Sequence, residues 1–158
     1  MRKTKQAASP RPVIYLLKHV QSELRNALEK ALAPAGLTVS QMAVLSALSA
    51  ESGLSNADLA RHTFVTPQTM VPLLSSLEAR SLIVRESHPS GGRTMPAKVT
   101  TQGIAKLRVG WKAVQTVEER MLRGLSPKEQ IRLMELLEHC LTALRPKDWI
   151  RPHKSHLP

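Results

Sequence analysis

Residues 54–103 read LSNADLARHTFVTPQTMVPLLSSLEARSLIVRESHPSGGRTMPAKVTTQG, and their succession of caps, apolar stripes and glycines decides the fold. Ser55-Asn56-Ala57-Asp58 opens a short helix that turns Leu59 inward and ends near His62, with Asp58 at the positive end of its dipole. After Thr63-Phe64-Val65, Thr66-Pro67 restarts the helix. The threonine accepts from an unpaired amide, and the proline stands where its missing N–H is not needed. Met70, Leu73, Leu74 and Leu77 follow at i, i+3, i+4 and i+7, the spacing of a buried helical stripe. Two short apolar runs, 81–86 and 95–99, suit paired strands, with Lys98 facing outward. The loop between them, His88-Pro89-Ser90-Gly91-Gly92-Arg93, is too long for a two-residue hairpin turn. A helix-turn-helix followed by a hairpin is a shape that grips duplex DNA.

The second helix of this unit carries Gln68, Thr69, Val71, Pro72, Ser75, Ser76 and Ala79 opposite its buried stripe. Solvent faces usually hold lysine and glutamate; this one holds small or hydrogen-bonding groups. Gln reads adenine, Thr and Ser donate or accept, and Val or Pro touches thymine methyls. The competing reading is a face covered by other protein. Pro72 is the local misfit. With Thr66 as cap it is interior and costs up to about 3 kcal/mol, whereas a start at Thr69 would place it in the first turn. The stripe begins at Met70, which favours Thr66 and a kink. Arg93 stands at the loop tip, where Gly91 and Gly92 allow close approach, and an arginine so presented suits a narrow minor groove. An ordinary solvated hairpin is the alternative. The expected DNA contacts are Thr66, Pro67, Gln68, Thr69, Val71, Pro72, Ser75, Ser76, Arg85, His88, Ser90, Gly92, Arg93 and Lys98.

The rest of the chain reads as helical scaffolding. Val13, Leu16, Leu17, Val20, Leu24, Leu28 and Leu32 form one stripe on a helix of roughly 20 residues, ended by Pro34 and Gly36. So long a striped helix needs a partner surface, which a second chain could supply. Thr38-Val39-Ser40-Gln41 is a capping box, and the helix it starts buries Met42, Val44, Leu45 and Leu48 before Ser52-Gly53. Thr100 or Thr101 caps a fifth helix carrying Ile104, Leu107, Trp111, Val114, Val117, Met121 and Leu122. Ser126-Pro127-Lys128-Glu129 is a second capping box, and the helix beyond is expected to bury Leu133, Met134, Leu137, Leu141 and Leu144. The fold class is therefore mainly α with a small β-hairpin wing. Its parts are a basic arm (1–12), flanking helical segments (13–36 and 101–145) to which the resemblance given below assigns dimerisation, a winged helix-turn-helix (37–100) and a basic tail (146–158).

The chain's 158 residues suit one domain, and 42% hydrophobic with 22% charged suffices for a core. Aromatics make up only 3%, so Leu, Val, Ala and Met must fill it. A net charge of +11 favours a polyanionic partner. Arg2, Lys3, Lys5 and Arg11 precede Val13, while Arg145, Lys147, Arg151 and Lys154 against Asp148 follow Leu144. Basic ends raise the pI of many proteins, so charge alone does not decide for DNA. A single cysteine, Cys140, excludes an internal disulfide framework and fits a reducing, cytoplasmic setting. No apolar run approaches the roughly 18 residues of a membrane span.

These motifs resemble the MarR family of winged-helix transcription regulators over about residues 13–145. The pieces are Gly36-Leu37-Thr38, Leu54-Ser55 with Asp58-Leu59-Ala60, and Thr66-Pro67-Gln68-Thr69-Met70 leading into Leu77-Glu78-Ala79-Arg80-Ser81-Leu82-Ile83. Gly92-Arg93 with Thr100-Thr101-Gln102-Gly103 closes the wing. The resemblance implies a homodimer held by the first, fifth and sixth helices, with two recognition helices in successive major grooves of a pseudopalindromic operator. It implies Arg93 in the flanking minor groove, and repression relieved by a small aromatic or phenolic ligand near the junction of the dimerisation and DNA-binding regions. Tyr15, His19 and Trp111 lie on helices that line that pocket. The chain departs from the family pattern at Gly91, where an acidic residue is usual, and in having no Arg or Lys on the reading face. Phosphate contacts then fall to Arg61, Arg80, Arg85, Lys98 and the arms.

Other chemistry is poorly served. Cys140 and His139 adjoin in sequence but diverge by about 100° on a helix, so they do not make a nucleophile–base pair. His153 and His156 share a proline-flanked tail, too sparse for a metal centre, and Gly91-Gly92 lacks the strand-to-helix setting of a phosphate loop. No enzyme activity and no cofactor or metal are expected. The rival readings are an RNA- or ribosome-associated protein acting through basic arms, and a winged-helix module that binds protein.

Overall fold

The computed structural model describes residues 12–85 and 96–144. Helix α1 (Val13–Leu32) runs into a 3-10 turn (Ala33–Ala35), which Gly36 closes in the left-handed region at φ 67°. Helices α2 (Val39–Ala50), α3 (Asn56–Thr63) and α4 (Pro67–Ala79) follow. Strands β1 (Ile83–Arg85) and β2 (Ala97–Val99) then lead to α5 (Thr101–Leu122) and α6 (Pro127–Leu144). Side chains set most boundaries. Thr38 and Gln41 bond reciprocally as a capping box, as do Ser55 and Asp58, while Thr66 accepts from Thr69 N and Thr100 from Gly103 N. Of the two candidates for the fifth cap, Thr100 takes the role.

The core lies within the helix-turn-helix. Val44, Leu45, Leu59, Met70, Leu74 and Leu77 are fully buried, closed below by Leu32 and at the wing base by Leu82 and Ile83. Burying Met70, Leu74 and Leu77, each worth about 1.5–3 kcal/mol, fixes the rotation of α4 about its axis. That leaves its opposite face in solvent. Leu73, at the edge of the stripe, is half-buried against the core.

The strands are shorter than the apolar runs. Ile83, Val84 and Arg85 pair antiparallel with Val99, Lys98 and Ala97, while Glu86 and Met95 fall outside the described residues. Ser81 is not a strand residue. It adopts φ 55° in the turn after α4, where its amide bonds to Glu78 O at 2.8 Å. This reversal drops Leu82 into the core.

Two glycines on α5 are buried. A Cβ on Gly103 would overlap the Leu82 carbonyl, and one on Gly110 would stand 2.5 Å from Met42 Sδ. They let α5 lie close against the wing base and α2. The expectation that α6 buries its apolar row is not met within one chain. Met134, Leu137, Leu141 and Leu144 are exposed, Leu144 to 83%, Leu133 is half-buried, and α6 contributes no buried residue. Val13, Ile14, Tyr15, Leu16, Leu17 and Val20 on α1 are exposed as well. These rows face away from the core because it is already filled by α2, α3, α4 and the first half of α5.

Candidate nucleic-acid interface

Helix α4 is presented by a capped start and held from behind. Thr66 Oγ1 accepts from Thr69 N at 3.2 Å and lies 2.9 Å from Thr69 Oγ1. This cap confirms the Thr66 start, so Pro72 is an interior proline, lacking the N–H that would bond to the Gln68 carbonyl. Thr66, Pro67, Gln68, Thr69, Val71, Pro72, Ser75 and Ser76 are all exposed and form one continuous surface.

Behind this surface, Gln41 ties α2 to α4. It is 8% exposed, accepts from Thr38 N at 3.1 Å, donates to Ser76 Oγ at 3.2 Å and accepts from Arg80 Nη1 at 3.3 Å. The far end of α4 is joined to the wing. Arg85 Nε lies 3.0 Å from Glu78 Oε2 as an ion pair without hydrogen-bond alignment, and Arg85 Nη2 donates to Ser75 Oγ at 3.2 Å. Arg80 and Arg85, both expected at phosphates, thus have partners within the protein. Arg61 pairs with Asp58, and Lys98 projects from β2 opposite Val84. His88, Ser90, Gly92 and Arg93 lie outside the described residues.

Among the described residues two carboxyls are perturbed, both in helix caps. Hydrogen bonding from the Ser55 hydroxyl, at 2.5 Å, and then from Arg61 holds Asp58 below the usual Asp range. The Ser126 hydroxyl and amide hold Glu129 below the usual Glu range. Both shifts stabilise the charged form at a helix N-terminus, where the dipole also favours it.

The three rings expected at a ligand pocket are not brought together. Trp111 packs against the core and lines a cavity of ≈ 350 Å³ walled by Leu28, Leu32, Met42, Ala47 and Val114, with His62 at its α3 side. His19 lines a different cavity of ≈ 340 Å³, with Glu23, Val117 and Arg120. Tyr15 is exposed and lines neither. Sequence reading missed Gln41 as a support for α4, since only its capping role shows locally. It also missed Glu78, whose signal was an opposite charge seven positions before Arg85.

The model of the MarR family matches residues 35–94, the segment holding α2, α3, α4 and β1. The HTH-type transcriptional repressor Rv2887 of Mycobacterium tuberculosis is 37% identical over 131 residues, 83% of this chain and 94% of the relative. A structure of Rv2887 with salicylic acid aligns at TM-score 0.69 and 37% identity, covering 82% of this chain and 96% of that one. Rv2887 in complex with DNA aligns at TM-score 0.68 and 34% identity, covering 82% and 97%. This identity, over most of both chains, establishes that the chain belongs to the MarR family of winged-helix transcriptional regulators.

Proposed function

We propose that this protein is a homodimeric, sequence-specific DNA-binding repressor whose α4 helices enter successive major grooves of a pseudopalindromic operator. The observation that carries the reading is the exposed, uncharged face of α4, held rigid by Gln41 and by the Glu78–Arg85 pair. Polar groups of this size approach base edges at low desolvation cost. The relative Rv2887 is named a repressor and has been solved with DNA, which supports the same role here. The exposed apolar rows of α1 and α6 form the surface a second copy covers. Arg93 reaches the flanking minor groove.

A small aromatic ligand lowers the affinity by entering the Trp111 cavity, which lies between α1, α2, α3 and α5. Its ≈ 350 Å³ suits a single substituted ring, and His62 connects it to the helix preceding α4. The salicylic acid complex of Rv2887 supports an effector of this class.

Selection of bound fragments from genomic DNA, followed by affinity measurement at physiological salt, tests the reading. A nanomolar preference for the selected duplex over random duplex, lost tenfold or more in Arg93→Ala, is the expected result. Equal affinity for both duplexes means arm-driven binding and refutes it.

A further inference from the structure

Phe64 combines two features that disfavour it where it stands. It caps the C-terminus of α3 at φ 55°, ψ 35°, a left-handed conformation in which any residue with a Cβ is crowded. Its ring is 84% exposed, the most exposed large hydrophobic side chain among the described residues. It is also the chain's only phenylalanine. Glycine or asparagine would hold the same turn with less strain, and a polar group would suit the same solvent.

Packing does not account for the ring. Its neighbour Val65 turns inward against the core, with its amide bonded to Ala60 O at 3.1 Å, so the turn is anchored without Phe64. Nor does Phe64 lie on the apolar rows of α1 and α6. It stands two residues before the Thr66 cap, adjoining in sequence the exposed first turn of α4. Strain held at an exposed position is a mark of function when the surrounding structure imposes it.

We infer that Phe64 is a DNA contact, its ring lying on the apolar edge of a strand, thymine methyl and deoxyribose, where α4 enters the major groove. This rests on the proposed DNA-binding role. The turn before a recognition helix follows the helix N-terminus into the groove, and thymine methyls are the apolar groups it meets. The contact adds affinity without a charge, on a face that lacks arginine and lysine.

The test uses the full chain and the tightest duplex from the fragment selection, comparing wild type with Phe64→Gly and Phe64→Asn. Both variants relieve the backbone, so their melting temperatures should equal or exceed wild type. Their affinity should fall about tenfold, the scale of one lost buried aromatic contact. The slope of log affinity against log salt should not change, because no phosphate contact is removed. Unchanged affinity would overturn the inference. So would a loss accompanied by a lower melting temperature or an altered salt slope, since the turn would then act through α4 or its phosphate contacts. Failure of the wild-type chain to prefer any duplex would overturn the DNA-binding reading itself, and this contact with it.

Discussion

Gln41 of α2 donates from Nε2 to Ser76 Oγ of α4 at 3.2 Å, across 35 positions of sequence. The same side chain closes the capping box of α2 and accepts from Arg80, so one amide uses both its donor and its acceptor ends. The start of α2 is thereby tied to the C-terminal part of α4. Ser76 is both exposed on α4 and bonded to Gln41.

Replacing Gln41 by alanine removes the reciprocal cap and both links to α4. We expect a loss of about 1–2 kcal/mol, measured by urea unfolding at matched protein concentration, because the bonds are only part-buried. Stability within a few tenths of wild type would mean that water replaces the amide without cost.

The two buried glycines of α5 should respond differently to alanine. In Gly103→Ala the new methyl meets the Leu82 carbonyl, a backbone atom, so destabilisation of about 2–3 kcal/mol is expected. In Gly110→Ala the methyl meets the end of the Met42 side chain, which can rotate, while helix propensity improves by up to about 1 kcal/mol. A net change under about 1 kcal/mol follows. Thermal unfolding of the pair decides it; equal losses would refute the distinction.

Dimerisation through α1 and α6 predicts that Leu137→Glu, placing a charge in the exposed apolar row, shifts the protein from twice the 17.5 kDa chain mass toward the single-chain mass. Sedimentation equilibrium reads this directly. An unchanged mass in the variant would place the interface elsewhere.

Acid should weaken the fold through its caps. Asp58 and Glu129 are both held below their ordinary values of 3.8 and 4.5, so the folded state binds fewer protons than the unfolded chain in that range. Their contributions are present above those ordinary values and are lost as pH falls through the lowered ones. Urea midpoints taken from neutral pH down through this window should fall more steeply for wild type than for Asp58→Asn. Parallel curves would show that the Ser55–Asp58 cap carries no linkage.

Much of the fold was legible because caps and stripes act locally. Thr38, Ser55, Thr66 and Ser126 each announce a helix through groups three residues away, and Met70, Leu74 and Leu77 declare a buried side by spacing alone. The strand ends were read too long because Ser81 belongs to a turn that only the packing of Leu82 imposes. The same local logic misjudged α6. Periodicity shows that a row is apolar, but not whether its cover lies in the same chain.

By itself, the sequence determined which segments are helices, where they start, and which face of α4 is uncharged. Those properties follow from contacts within one or two turns. Only the tertiary structure decided that Gln41 stands behind Ser76, that Arg85 is spent on Glu78 and Ser75, and that Trp111 and His19 line separate cavities. It also showed Phe64 in a left-handed conformation and bare just before α4. These are meetings between residues distant in sequence, or exposures left by packing elsewhere. They depend on how the helices dock, and no local pattern encodes that.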